Sequence, residues 1–180
     1  MVAIFAHGQV GLCAAAGARL MGASTIIAVD QLPNRLALAQ RLAADYVVDF
    51  SKVDPVEKIM RLTAGRGVDV AIKALGTQGI FAACLRVLRP GGTLFSLGVY
   101  STDLAIPAGA FAAGPRDHTI VTSLCPGEKE RMRHLMAIIA TGLADLSAMV
   151  THRYKPDDIE AMYELLSNQR DGVFKAAITP

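Results

Sequence analysis

Nine residues near the start of the chain, Ile4-Phe5-Ala6-His7-Gly8-Gln9-Val10-Gly11-Leu12, carry its clearest chemical signal. Their chemistry would be phosphate binding. A G-x-G-x-x-G turn between a strand and a helix presents backbone N–H groups, backed by the positive end of the helix dipole, to a pyrophosphate. The first glycine permits the tight turn, the second lets the pyrophosphate approach the backbone, and the third lets the helix sit close to the strand. Gly8 and Gly11 hold the second and third places, and Ala6 stands in the first. A methyl there costs little at negative φ, but about 1 kcal/mol or more if the turn demands positive φ. The turn is expected to survive with weaker cofactor affinity, and Gly8, Gln9, Val10 and Gly11 are its candidate ligand contacts.

A second group strengthens the reading. Asp30 ends the run Ser24-Thr25-Ile26-Ile27-Ala28-Val29-Asp30, nineteen residues after Gly11. An acid at the tip of the second strand accepts hydrogen bonds from the adenosine ribose hydroxyls and repels a 2′-phosphate, which favours NAD over NADP. The plainer alternative is a helix cap or loop acid. Arg35 could reach the ribose or adenine edge, or be a solvated helix charge. Two later strand ends, Ala74-Leu75-Gly76-Thr77 and Leu97-Gly98-Val99-Tyr100, complete a cleft. Small residues there would let a flat nicotinamide ring approach the backbone, which makes Ala74, Leu75, Gly98 and Val99 candidates; ordinary strand exits are the alternative.

These groups need a scaffold of alternating strands and helices. Strands are expected at Val2–Ala6, Ser24–Asp30, Tyr46–Asp49, Val68–Ala74, Thr93–Leu97 and Thr119–Leu124. Helices are expected at Gln9–Met21, Pro33–Ala44, Asp54–Thr63 and Gln78–Leu88, with Asp54 and Pro55 as an N-cap and first-turn pair. The continuous apolar strands argue a parallel sheet covered on both faces, the doubly wound α/β (Rossmann-type) fold with six strands. Pro90-Gly91-Gly92 is read as a turn before the fifth strand. After about residue 125 the pattern changes to helices at Lys129–Thr141 and Asp157–Asn168 and a short strand at Val173–Ile178. Residues 1–125 therefore read as the nucleotide-binding domain and 126–180 as a helical and strand appendage.

The bulk composition excludes several classes. The chain has 180 residues, 52% hydrophobic and 6% aromatic, with a formal net charge of +2. That balance gives no field for nucleic acid or a membrane surface, and no run reaches the roughly 18 apolar residues of a membrane span. Cys13, Cys84 and Cys125 lie far apart with no C-x-x-C, which suits small core residues in a reducing cytoplasm better than disulfides or a thiolate zinc site. His7, His118, His134 and His152 are scattered. His7 could hydrogen-bond a cofactor or point to solvent, and neither role makes it a catalyst. No catalytic residue and no metal ligand is assigned.

The segments VAIFAHGQVGL, ARLMGASTIIAVD, GVDVAIKALGT, LRPGGTLFSLGVY, TSLCPG and VTHRYKPDDIEAMYELL together resemble the zinc-containing alcohol dehydrogenases of the medium-chain dehydrogenase/reductase family. The resemblance runs over essentially the whole chain and implies the coenzyme-binding domain plus the C-terminal segment. By it, Gly8 and Gly11 match the pyrophosphate turn, Asp30 the ribose acid of NAD-dependent members, and Arg35 a nearby basic position. Ala74, Leu75, Gly98 and Val99 fall in the nicotinamide pocket, and Lys73 stands where relatives often have Glu. It further implies a small alcohol, aldehyde or ketone substrate, a dimer or tetramer, and a catalytic domain, absent from these residues, that holds the zinc. The chain by itself is expected to bind NAD without catalysing, and part of 126–180 is expected to expose a surface built for the absent domain. Two alternatives stand beside this: an S-adenosylmethionine methyltransferase, which shares the glycine turn, the acid and Leu88-Arg89-Pro90-Gly91-Gly92, and a non-catalytic NAD-binding or association module.

Overall fold

The computed structural model describes residues 1–100, 103–106, 108, 117–125, 127–168 and 172–180. Six strands form one sheet in the order β3-β2-β1-β4-β5-β6: β1 (Val2–Phe5), β2 (Ile26–Asp30), β3 (Tyr46–Asp49), β4 (Val68–Lys73), β5 (Leu88–Ser96) and β6 (Thr119–Thr122). All five neighbouring pairs run parallel. This is the doubly wound fold expected. The connecting helices are α1 (Gln9–Leu20), α2 (Pro33–Leu42), α3 (Pro55–Leu62) and α4 (Gln78–Val87), each within a few residues of its expected span.

The apolar strands work as their composition requires. All of β1 and β2 is buried. Alternate residues feed two cores: Ala3, Phe5, Ile27 and Val29 pack with Ile59, Phe81 and Leu85 of α3 and α4. Val2, Ile4, Ile26 and Ala28 pack with Leu12, Ala15 and Ala39 of α1 and α2. Right-handed crossovers put helices on one face when the chain winds towards β3 and on the other when it winds towards β6. Among the described residues, no helix of the doubly wound unit covers the α1 face over β4 and β5. A groove of about 550 Å³ lies there, lined by Ala14, Ala18, Val70, Ile72, Phe95 and Leu97 among others.

Local chemistry sets the boundaries. Asp54 caps α3 as expected, its carboxylate accepting from the Glu57 N–H at 2.9 Å, with Pro55 in the first turn. One expectation fails. Pro90-Gly91-Gly92 does not precede the fifth strand; it lies within β5, which begins at Leu88 directly after α4. The ladder pairs Val68 with Leu88 and resumes at Val70 with Thr93, so the extra residues are absorbed by a bulge. Arg89 in that bulge donates to Asp69 at 2.6 Å.

Beyond β6 come α5 (Lys129–Ala140) and α6 (Ile159–Ser167), with β7 (Val150–Tyr154) and β8 (Lys175–Ile178) paired in a separate two-stranded parallel sheet. The tail is thus not a further unit of the main sheet. No helix among the described residues is long and apolar enough to cross a membrane.

Candidate functional site

The carboxyl ends of β1, β2, β4 and β5 meet along one edge of the sheet. β1 ends at Phe5, and Ala6 turns the chain with φ of 71°, in the left-handed region. The first glycine's conformation is therefore kept without the glycine, and the turn carries the strain that the sequence left conditional. The Ala6 N–H donates to the Val29 carbonyl at 2.9 Å, which anchors the turn to β2. Gly11 follows in the first turn of α1. A Cβ there would sit 2.0 Å from the Ala6 carbonyl oxygen, so only glycine permits this approach of helix to strand. A Cβ at Gly8 would meet nothing within 4 Å. No side chain caps α1, whose first turn holds no acid. The N–H groups of Gln9, Val10 and Gly11 precede the first intrahelical bond, from Leu12 to Gly8, the arrangement by which a helix start can hold an anion.

Asp30 is buried at the tip of β2. One carboxylate oxygen accepts from the His7 N–H at 2.6 Å; the other accepts from Gln31 and Leu32 N–H at 2.8 and 3.0 Å. It thus ties the phosphate turn to the β2–α2 loop, the loop-acid role that the sequence left open, while its remaining lone pairs keep acceptor capacity. Arg35 stands 3.8 Å from it, a loose pair beyond hydrogen-bond range. His7 corrects the sequence reading: it does not point to solvent. Its ring is fully buried, with Nδ1 3.3 Å from the Val29 carbonyl and Nε2 without a partner. Burial pulls its pKa below the usual value, against the opposing pull of the Val29 carbonyl and Asp30.

The other strand ends interlock. Ala74 donates its N–H to the Phe5 carbonyl and packs beside Gly11. A Cβ on Gly76 would fall 1.7 Å from the Val99 carbonyl oxygen, and one on Gly98 would fall 2.6 Å from Gly76 N, so both glycines serve the crossing of these two exits. Val10, Leu75 and Val99 are 50%, 50% and 77% exposed, apolar side chains on the rim. A cavity of about 180 Å³ opens beside Ala6, Val29, Phe50 and Ile80, and one of about 500 Å³ beside Ser96, Gly98, Val99, Tyr100 and Thr122. The ten candidate residues therefore lie on one edge: Gly8, Gln9, Val10, Gly11, Asp30 and Arg35 towards β2, Ala74, Leu75, Gly98 and Val99 towards β5.

The sequence reading missed Lys175. Its ammonium donates to the Gln9 side-chain oxygen at 3.1 Å, and the Gln9 amide donates to the Phe174 carbonyl at 3.2 Å. The C-terminal segment thus returns to the first turn of α1 and brings a cation to the anion-facing end. No local pattern around Lys175 signals this, because its partner is 166 positions away. Among the described residues no three His, Cys, Asp or Glu side chains gather as a metal-holding group.

An all-parallel sheet with its glycine turn, strand-tip acid and uncapped helix start defines a nucleotide-binding α/β domain of the doubly wound class. Residues 10–141 match the family described as zinc-binding dehydrogenase, and the chain belongs to that family. It is 60% identical over 179 residues to an alcohol dehydrogenase of Cupriavidus necator, covering 99% of this chain and 49% of that one. It is 35% identical to an NADP-dependent isopropanol dehydrogenase of Thermoanaerobacter brockii, covering 98% and 51%. The alcohol dehydrogenase TADH from Thermus sp. ATN1 superposes with a TM-score of 0.89 at 26% identity, covering 99% and 51%. The chain spans about half the length of the curated relatives it matches. The parallel pairing of β5 with β6 and the family together set aside the methyltransferase alternative.

Proposed function

We propose that this chain binds a nicotinamide adenine dinucleotide along the carboxyl edge of its sheet, NAD in preference to NADP, as the coenzyme half of an alcohol dehydrogenase. Residues 1–125 form the binding domain, and 126–180 serve partly to close its rim and partly to meet a further domain. When bound, the cofactor takes up or returns the hydride of an alcohol–carbonyl pair. In this reading the pyrophosphate lies on the N–H groups of Gln9, Val10 and Gly11, over the open side of Gly8, with Lys175 supplying positive charge. Asp30 receives the adenosine ribose with Arg35 at its flank, and Ala74, Leu75, Gly98 and Val99 border the nicotinamide. No catalytic residue is assigned within the chain. A small alcohol, aldehyde or ketone is the substrate of the complete enzyme, and its zinc is held by residues outside these 180.

The observation that carries the cofactor preference is Asp30. Its carboxylate is held in place by three backbone N–H groups, so it is not free to swing away from a 2′-phosphate. Two negative groups in contact at a partly desolvated edge repel strongly. The cation beside it, Arg35, is too loosely placed to cancel that charge.

Association of two copies through the exposed edge of β6 accords with this reading. The weaker alternative, a domain that binds the dinucleotide only as an association module, is favoured by the exposed apolar stripe of α5, where Met132, Leu135, Met136 and Ile139 lie on the surface. Titration of the chain with NADH and NADPH decides the preference. NADH is expected to bind more tightly by about tenfold or more, equivalent to about 1.4 kcal/mol. Asp30→Asn keeps an acceptor oxygen for the loop and removes the charge, and should narrow that ratio. Equal affinities in the unsubstituted chain would end the NAD reading.

A further inference from the structure

Lys73 is the least expected side chain in the sheet. It ends β4, paired in register with Phe5 of β1 and Ser96 of β5, and it is fully buried. Its ammonium has no hydrogen-bond partner. Among the described residues no carboxylate forms an ion pair with it. What it meets is the face of Tyr100, with Nζ 3.4 Å from the ring centroid. Tyr100 is held on two further sides: its hydroxyl lies 3.2 Å from Ser96 Oγ, and its ring stands edge-on to Phe81 at 6.4 Å between centroids. Tyr100 and Ser96 both line the 500 Å³ cavity with Gly98 and Val99.

A buried ammonium without a counter-ion is expensive to desolvate, and a cation–π contact returns only part of that expense. A methionine would fill the same space without the penalty. Stability therefore gives no reason for a lysine here, whereas the position of Tyr100 does. Tyr100 lines the cavity at the β5–β6 end of the edge, and the Lys73 ammonium lies against the face of its ring. Lys73 sits beside Phe5 at the foot of the turn, but its ammonium is directed to Tyr100, on the side of the edge away from Asp30.

We infer that Lys73 is a positioning residue: by clamping Tyr100 it shapes the nicotinamide end of the cleft, and it governs affinity for the nicotinamide moiety without affecting affinity for the adenosine diphosphate portion. This rests on the dinucleotide reading above. It predicts a separation that a merely structural lysine would not produce. Calorimetric titration of the 180-residue chain with NADH and with ADP-ribose, which lacks the nicotinamide, provides the measurement.

Lys73→Met should weaken NADH by about tenfold while ADP-ribose stays within about twofold, and its melting temperature should rise as the affinity falls. Lys73→Arg, which keeps the cation, should recover most of the NADH affinity. Tyr100→Leu removes the other half of the clamp and should reproduce the selective loss; it decides the matter if Lys73→Met does not fold. Equal weakening of both ligands would mean that Lys73 acts as a general positive charge under the phosphates, and unchanged affinities would mean that it does not act on the ligand. Either result overturns the inference and leaves the dinucleotide reading standing. Failure of the unsubstituted chain to bind ADP-ribose would instead remove the dinucleotide reading, and the inference with it.

Discussion

The two ends of the cleft are built differently. At the β1–β2 end, one buried carboxylate joins strand, turn and loop through three backbone hydrogen bonds, and the C-terminal segment closes over Gln9. At the β5–β6 end, Val99 and Leu124 are 77% and 78% exposed, and β6 forms the sheet's edge. The β1–β2 end is thus closed by this chain's own residues, while the β5–β6 end presents exposed apolar side chains. In the proposed reading the difference divides the work: preorganisation for the cofactor resides at the β1–β2 end, and the β5–β6 end is the more open one.

The sharpest way to break this comparison uses two glycines of one motif. Gly11→Ala drives a methyl to within 2.0 Å of the Ala6 carbonyl oxygen, so α1 must move off β1. A loss of about 3 kcal/mol is expected, read as a fall in the denaturant midpoint, because backbone on both sides leaves no flexible atom to yield. Gly8→Ala should do the reverse. Its Cβ meets nothing and its φ of −69° suits alanine, so stability should hold while NADH affinity falls by about tenfold. If Gly8→Ala binds NADH as well as the parent does, the pyrophosphate does not lie over that turn.

A smaller effect is expected at Ala6. Relief of its left-handed strain gains about 1–2 kcal/mol, while glycine's freer unfolded chain costs about 0.4–1 kcal/mol. Strain wins, and Ala6→Gly should stabilise by about 0.5–1 kcal/mol, a rise of about 2–4 °C in melting temperature at most. An unchanged or lower melting point would show that the turn is not strained as its φ implies.

The smallest effect is a pH slope. His7 is buried, which lowers its pKa from 6.5 in the folded chain. Between the folded value and 6.5 the unfolded chain binds more protons, so stability is complete above pH 6.5 and declines as the pH falls through that window. Denaturation midpoints measured from pH 7 down to about 5 should fall for the parent and fall less for His7→Gln. Matching slopes would place the acid sensitivity elsewhere.

Much of this was legible in the sequence, for reasons that particular residues show. The six strands were readable as apolar runs because both faces of the sheet are covered, and the Asp54–Pro55 helix start because a cap is a contact over three positions. The β5 boundary was misread at Pro90-Gly91-Gly92 because a bulge uses the same residue types as a turn. The close approach of α1 to β1 was legible because backbone geometry demands glycine at Gly11, whereas a Cβ at Gly8 would meet nothing. The pairing of Lys175 with Gln9 was not legible, because that side chain is recruited from afar.

Residue order and type, without coordinates, determined the fold class, the place of the glycine turn after β1 and the acid at the tip of β2. Those features depend on local periodicity and on steric rules that act within a few residues. Only the tertiary structure decided that Ala6 takes positive φ, that His7 is sealed inside, that Lys175 reaches Gln9, and that Lys73 lies under Tyr100. Each of those outcomes joins groups whose distance along the chain says nothing of their distance in space, because packing a sheet between helices sets it.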